Sequence, residues 1–343
     1  MIDEILENRF INQLARSLPR SPLQCNRPHE SDAELMQLPD TPFVLALKVD
    51  SIVEEIETGL YSDPYTIGWM AVTSSISDLA AVGAKPLGIL ISETLPPDLD
   101  KVSLEKLQRG IADACDSYGI GVLGGDTNFS GSMQISGFAI GIISGTEPLK
   151  RTGLSPGDNL FASAPLGAGS AYAFTKLTSS GMTSEGLPFK PLARVRQGMV
   201  AREYASACMD TSDGALATLD QLMRLNKVGF RIEWRDNCLH EMALSVARAG
   251  GIPPWVMLAG LHGEFELLFT VPPQKTDSFL KASSAIGWVP IKLGTVIAEP
   301  CIELVDGDCV RLLPSGEIRN LFSEVNGDMK VYVERLLNIA RST

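Results

Sequence analysis

The chain is poor in the residues that usually mark a catalytic centre. It has three histidines, His29, His240 and His262, and they form no cluster. Its six cysteines (25, 115, 208, 238, 301 and 309) include no CxxC pair and no histidine partner at zinc-ligand spacing. That excludes a zinc site of the usual spacing and fits a reduced, cytoplasmic setting. The phosphate-loop string GxxxxGK[ST] is absent, and no serine nucleophile elbow is expected. No apolar run reaches the ~20 residues that a membrane span needs. The start, MIDEILENRF, is charged from its third residue, unlike a signal peptide. Internal repeats and low-complexity segments are missing too. Cations are in short supply: 29 Lys and Arg face 41 Asp and Glu, a formal net charge of −12. A general nucleic-acid binder needs clustered Lys and Arg, so the balance argues against that class. An anionic substrate would need local cations, from side chains or from metal ions. Much of the acidic surplus can equally be solvated surface.

What is present is a chain of 343 residues, 45% hydrophobic and 20% charged, long enough for two globular domains. Residues 1–40 read as polar and irregular, apart from a short helical pattern near Ile5–Leu14. FVLALKVD (43–50) reads as a buried strand. Asp63 as a cap and Pro64 at the first helical position open a helix that stops at Gly83. LGILISE (87–93) reads as a strand, and Leu104, Leu107, Ile111 and Cys115 mark an amphipathic helix. GIGVLGGD and MQISGFAIGII read as strands around a Gly-rich turn. Beyond Arg151 the pattern resumes with the strands VGFRIEW and EFELLFTV, a helix near 275–285, a β-rich stretch ending in CVRLL and a terminal helix. Alternating strands and helices in both halves predict a mixed α and β fold, with a domain boundary near 145–158.

The informative residues are acids beside small residues. In CMDTSDGALATL (208–219), Asp210 and Asp213 bracket Ser212 ahead of a helical pattern from about Ala215 to Leu225. Helix capping explains one such side chain; two carboxylates and a hydroxyl also suit a bound cation. Asp78 lies on a stripe with Ala71, Ser74 and Ser75, which fits either a close-approaching ligand or a solvated face. Asp126 follows Gly124 and Gly125 at a strand end, in a turn that could expose N–H groups to phosphate or be a plain turn. Asp50 ends its strand, where ligand-facing residues often sit. PLGAGSA (165–171) reads as a turn more readily than as a phosphate loop. Together, acids at loop and helix starts beside Gly, Ser and Thr suit Mg²⁺ shared with substrate phosphates, hence nucleoside-triphosphate chemistry.

Five ordered motifs, SDLAAVGAKP (77–86), LGGDTN (123–128), RTGLSPGD (151–158), MDTSDG (209–214) and ELLFTVPP (266–273), resemble those of the thiamine-monophosphate kinase family. That family belongs to the ATP-binding superfamily of aminoimidazole ribonucleotide synthetase, the PurM-like proteins. The resemblance spans about residues 30–325. It implies a two-domain PurM-like subunit, divided as 1–148 and 149–343, whose N-terminal domain pairs into a β-barrel across a homodimer. It also implies ATP and Mg²⁺ as cofactors and a small-molecule acceptor, with neither nucleic acid nor membrane as partner. Carried over by position, Asp32, Asp50, Asp78, Asp126, Asp210 and Asp213 are implied metal ligands. Asp126 and Asp210 carry the catalytic role, and Gly125, Asp126, Arg151 and Ser212 bind ATP. Glu57 and Gly263 stand at substrate positions, where the family has His and Glu. Further departures are Ser31 in place of the first Asp of GDD, and Lys48-Val49 in place of the two Thr of TTD. The expected activity is phosphoryl transfer to a phosphate acceptor, which needs no general base. The alternatives are an ATP-dependent ligase or cyclase on another metabolite, and a non-catalytic nucleotide-binding paralogue.

Overall fold

The structure, a computed structural model, describes residues 2–177 and 189–342. In chain order its helices are α1 (Leu6–Ser17), α2 (Val53–Glu57), α3 (Pro64–Ala81), α4 (Lys101–Tyr118), α5 (Ala168–Leu177), α6 (Val195–Ala201), α7 (Ala215–Asn226), α8 (Glu241–Gly250), α9 (Pro273–Ala285), α10 (Ser315–Glu324) and α11 (Met329–Ser342). The strands are β1 (Glu34–Gln37), β2 (Val44–Ser51), β3 (Lys85–Leu95), β4 (Val122–Phe129), β5 (Gln134–Ile143), β6 (Asn159–Ala162), β7 (Ala207–Asp210), β8 (Gly229–Glu233), β9 (Leu267–Val271), β10 (Ile291–Ile297), β11 (Ile302–Asp306) and β12 (Cys309–Leu312). The mixed α and β class expected from the sequence is what the chain adopts.

Two sheets organise the molecule. The first runs β1-β2-β5-β3-β4 and the second β12-β11-β8-β10-β6-β9-β7. Neighbours are antiparallel except β3 with β4 and β8 with β11. In the first sheet β5 alternates buried and partly exposed residues along its whole length, the period-2 signature of a sheet with one covered face. Helix α3 covers that face, and α4 packs against α3. They approach closely because Gly68 and Gly110 each abut the other helix's backbone, at the carbonyls of Leu107 and Tyr65, where a Cβ would clash.

Helix α3 is the wall between the two halves. Asp63 caps it by accepting from the Thr66 N–H, Pro64 begins it and Gly83 follows at a left-handed φ of 70°. The small polar stripe is not solvated, because Thr73, Ser74, Ser75, Ser77 and Asp78 are all buried. Ser75 Oγ donates to the Gly137 carbonyl of β5, and Ser77 Oγ reaches Asp210 at the end of β7. The last turn of α3, Ala80 and Ala81, packs into an apolar cluster with Phe161, Phe269 and Phe279 of the second half.

The strand read as ending at Asp126 runs on as β4 to Phe129, so Asp126, expected at a strand end in a turn, lies within the strand. Residues 34–37, taken as irregular, form edge strand β1, of which only Leu35 is buried outright. Helix α1 packs on the far half of the chain, where Asn8 Nδ2 donates to Gln221 Oε1 (2.8 Å) and the Leu6 N–H donates to Asn320 Oδ1 (3.0 Å).

Candidate active site

Three carboxylates from three separate segments converge beside α3. Asp32, from the loop before β1, Asp78 of α3 and Asp210 at the end of β7 each offer an oxygen, and these oxygens lie within 4.8 Å of one another. All three residues are buried. Two cations flank them. Arg151 Nη2 donates to Asp32 Oδ1 at 2.9 Å. Lys48 Nζ lies 3.1 Å from Asp78 Oδ1 and 3.3 Å from Asp50 Oδ1, which joins Asp50 to the group.

Burying like charges this closely is costly, and the acidities reflect it. Burial, then the Asp32 charge, raises the Asp210 carboxyl to about 6, although Ser77 and Ser212 donate to it. Burial also raises Asp78 well above the ordinary carboxylate range, against the pull of Lys48. For Lys48 burial works against the charge, but Asp78 and Asp50 outweigh it and raise the ammonium's pKa. Two carboxylate oxygens, Asp32 Oδ2 and Asp50 Oδ2, are buried without a hydrogen-bond partner. A buried acceptor left bare costs free energy comparable to a lost hydrogen bond. Hard divalent cations such as Mg²⁺ take such oxygen donors, so the residues present fit the ion that the sequence implied.

The loop 210–214 answers the question of its two carboxylates, and neither caps α7. Gly214 occupies the N-cap position, with no side-chain cap. Ser212 Oγ instead donates to Asp210 Oδ1 at 2.9 Å. Asp210 faces the buried cluster. Asp213 faces a cavity of about 400 Å³ on the other side of the loop. That cavity has an apolar wall, including Leu60, Met257, Phe322 and Leu336, acidic groups from Glu7, Glu54, Glu55 and Asp213, and one guanidinium, Arg319, which pairs with Glu7.

The remaining expected residues fall elsewhere. Asp126 is exposed on β4, where Asn128 Nδ2 donates to its Oδ2 at 2.7 Å. Register explains its separation. Asp50, Gly137, Ile91 and Gly125 form one row across β2, β5, β3 and β4, and Gly137 faces α3. Asp126 lies in the next row with Ser92, Ser136 and Ser51, whose side chains take the opposite face. Glu57 is exposed at the end of α2 and does not line the cavity; Glu54 and Glu55 do. Gly263 offers no side chain to a substrate. Its N–H donates to the Ser212 carbonyl at 2.9 Å, and a Cβ there would strike the Thr211 carbonyl, so it serves as the seat of the 210–214 loop.

Two sequence strings take ordinary structural roles. The PLGAGSA loop carries an anion of the protein's own: Glu264 Oε2 accepts from the Gly167 N–H at 2.8 Å and the Gly169 N–H at 3.3 Å. The expectation of no nucleophile elbow rests on G-x-S-x-G being absent, which GLSPG at 153–157 corrects; the expectation stands on other ground, since these residues form a turn ahead of β6 and not a strand-to-helix elbow. There the Ser155 N–H donates to Asp158. Sequence reasoning missed Glu55, one oxygen of which is buried without a partner, and Ser77. Glu55 carried no signal apart from its neighbours in VEEIE. Ser77 lies beside Asp78 in the helix, and its partner is 133 residues away.

Residues 30–143 match the family model described as AIR synthase related protein, N-terminal domain. The chain is 33% identical to the thiamine-monophosphate kinase of Methanospirillum hungatei over 66% of its own length and 74% of that protein's. To the thiamine-monophosphate kinase of Buchnera aphidicola from Acyrthosiphon pisum it is 26% identical, over 77% of this chain and 84% of the relative. Among solved structures it is similar to AaThiL complexed with AMPPCP and TMP. That likeness has a TM-score of 0.72 and 25% identity, and it covers 89% of this chain and 94% of that one.

Proposed function

Because the chain belongs to the thiamine-monophosphate kinase family, we propose that it is an ATP-dependent phosphotransferase whose acceptor is a phosphate oxygen, thiamine monophosphate being the first candidate. The single observation that carries this reading is the buried convergence of Asp32, Asp78 and Asp210, with bare oxygens on Asp32 and Asp50. In the reading, Asp32, Asp50, Asp78 and Asp210 hold Mg²⁺, which when bound supplies positive charge to the ATP phosphates. Asp213 and the exposed Asp126 are proposed as outlying ligands, with Gly125 beside Asp126 and Ser212 and Arg151 against the nucleotide.

The chain's own residues then have separable tasks. Arg151 fixes Asp32, and Ser77 and Ser212 fix Asp210, so the charged oxygens are positioned before any ligand arrives. Asp213, Glu54 and Glu55 give the adjoining cavity a negative edge against an apolar wall, which suits an organic cation such as a thiazolium ring. A phosphate acceptor is already nucleophilic near neutral pH, so positioning and electrostatics suffice without a general base. We further propose a working division at 148/149, a cytoplasmic setting supported by six free cysteines, and a homodimer. Support for the dimer comes from β4, an edge strand exposed along its whole length. Among the described residues no helix is long and apolar enough to cross a membrane.

The test is direct assay of full-length protein with ATP, Mg²⁺ and thiamine monophosphate. Formation of thiamine diphosphate is expected, and its loss in Asp210→Asn. Phosphate release coupled to a new C–N bond would move the assignment to a ligase. Absence of ATP turnover with a panel of phosphorylated acceptors would overturn it.

A further inference from the structure

Lys48 places its ammonium inside the acidic cluster. Its ammonium has three N–H donors and three oxygens in reach: Asp78 Oδ1 at 3.1 Å, Asp50 Oδ1 at 3.3 Å and the Asp32 main-chain carbonyl at 3.4 Å. An all-oxygen shell of carboxylates and a carbonyl is also what a hard divalent ion selects. The stem does not snorkel outward, since the ammonium turns in towards α3. Strand register enforces this. Lys48 and Asp50 are two apart on β2, so both point to the covered face, opposite Ala139 and Gly137.

The cluster is therefore divided. Around Lys48, Asp50 Oδ1 and Asp78 Oδ1 already have a cation. Towards Asp32 and Asp210 the charges outnumber their partners. Arg151 takes only one oxygen of Asp32, and Asp32 Oδ2, on a side chain 1% exposed, has no partner. Asp50 Oδ2 is bare as well, at the boundary between the two regions.

Resting on the phosphotransferase reading, we propose that the Lys48 ammonium is a built-in cation that replaces one divalent ion between Asp50 and Asp78. The chain would then bind one metal ion fewer than its carboxylates could hold, the other position being that bounded by Asp32, Asp78 and Asp210, with the bare Asp50 Oδ2 at its edge. Lys48 stays on the chain when nucleotide leaves. It thus provides a permanent positive charge to phosphates that a dissociable ion would supply only when bound.

The experiment counts Mn²⁺ by electron paramagnetic resonance on the full chain without nucleotide, in wild type, Lys48→Thr and Lys48→Arg. Lys48→Thr should bind one additional Mn²⁺ per chain, and Lys48→Arg should keep the wild-type count. The thermal midpoint of Lys48→Thr should fall in chelator and recover with Mn²⁺, while wild type responds less. An unchanged count in Lys48→Thr overturns the proposal and leaves Lys48 as a structural counter-charge. Should Lys48→Thr be unfolded in chelator, recovery of its circular dichroism by Mn²⁺ supports the proposal, and failure to recover overturns it. Binding of AMPPCP to wild type is measured in parallel. If wild type binds no nucleotide, the phosphotransferase reading fails, while the metal count still decides the role of Lys48.

Discussion

Asp210 ends a strand with 1% of its surface exposed, beside two other buried carboxylates. Nothing about folding favours that arrangement, since a buried carboxylate is costly unless paired. Asp210→Asn keeps an oxygen for the Ser77 hydroxyl and removes the repulsion with Asp32. It should therefore leave the metal-free protein at least as stable in a melting experiment in chelator. Turnover should fall on the order of 10²-fold or more, through lost transition-state stabilisation. A variant that melts lower yet turns over normally contradicts this on both counts. Glu264, which accepts from the Thr211 hydroxyl behind the 210–214 loop, offers a test on a carboxyl outside the acidic cluster. Burial, then the neighbouring Glu266, raises its carboxyl from 4.5 to about 7. An acid whose folded pKa exceeds its unfolded one binds protons more tightly when folded. Its contribution to stability is greatest below about pH 4.5 and declines until pH reaches about 7. That decline amounts to about 3 kcal/mol at most. Glu264→Gln has no such charge, so its advantage in urea unfolding should be larger at pH 8 than at pH 5. Equal differences at both values would remove the argument.

At the scale of elements, the 210–214 loop is held by packing. Gly263 gives up its side chain so that the Thr211 carbonyl can lie against its Cα and its N–H can reach the Ser212 carbonyl. Gly263→Ala must push the loop aside, at a cost on the order of 1–3 kcal/mol, and should lower kcat at least as much as it lowers stability. Urea midpoints and steady-state kinetics on one preparation check this; unchanged kcat refutes it. This position also marks how far the sequence could be read. The limits of α3 were legible because their causes are local: a capping Asp63, Pro64 at the first turn, and Gly83 where φ turns positive. The burial of its polar stripe was not, because the covering partners arrive from β5 and β7. The acids of the cluster were legible as types, by their company of Gly, Ser and Thr. Which of them meet was not. Asp32 and Arg151 are 119 residues apart, and the separation of Asp126 follows from a strand register that no local pattern encodes. Helix α1 was visible as a pattern, yet its docking on Gln221 and Asn320 depends on the far half being folded.

At the scale of the whole molecule, the first sheet has two edges of different character. One is β1, four residues long, carrying Glu34. The other is β4, eight residues with every position exposed, including Val122 at 50%, Leu123 at 57% and Phe129 at 71%. An edge strand protects itself with Lys, Pro, a bulge or brevity; β4 has neither Lys nor Pro, and its one register irregularity, at Leu123, leaves Gly124–Phe129 in regular register with β3. It pairs with β3 through one side only, so its other row of N–H and C=O groups faces outward with apolar side chains around it. A second copy of the same strand would satisfy both the backbone groups and the apolar surface, and would close the sheet where a monomer leaves it open. Wild type should therefore behave as a dimer at micromolar concentration in light scattering coupled to gel filtration. Leu123→Lys with Phe129→Glu places charge on that edge, and should weaken self-association on the order of 10²-fold. Because Asp126 lies on the same strand, phosphotransfer should fall with dissociation and recover as protein concentration is raised. A double variant that remains a dimer, or a monomer with undiminished turnover at every concentration, would separate the edge strand from the site.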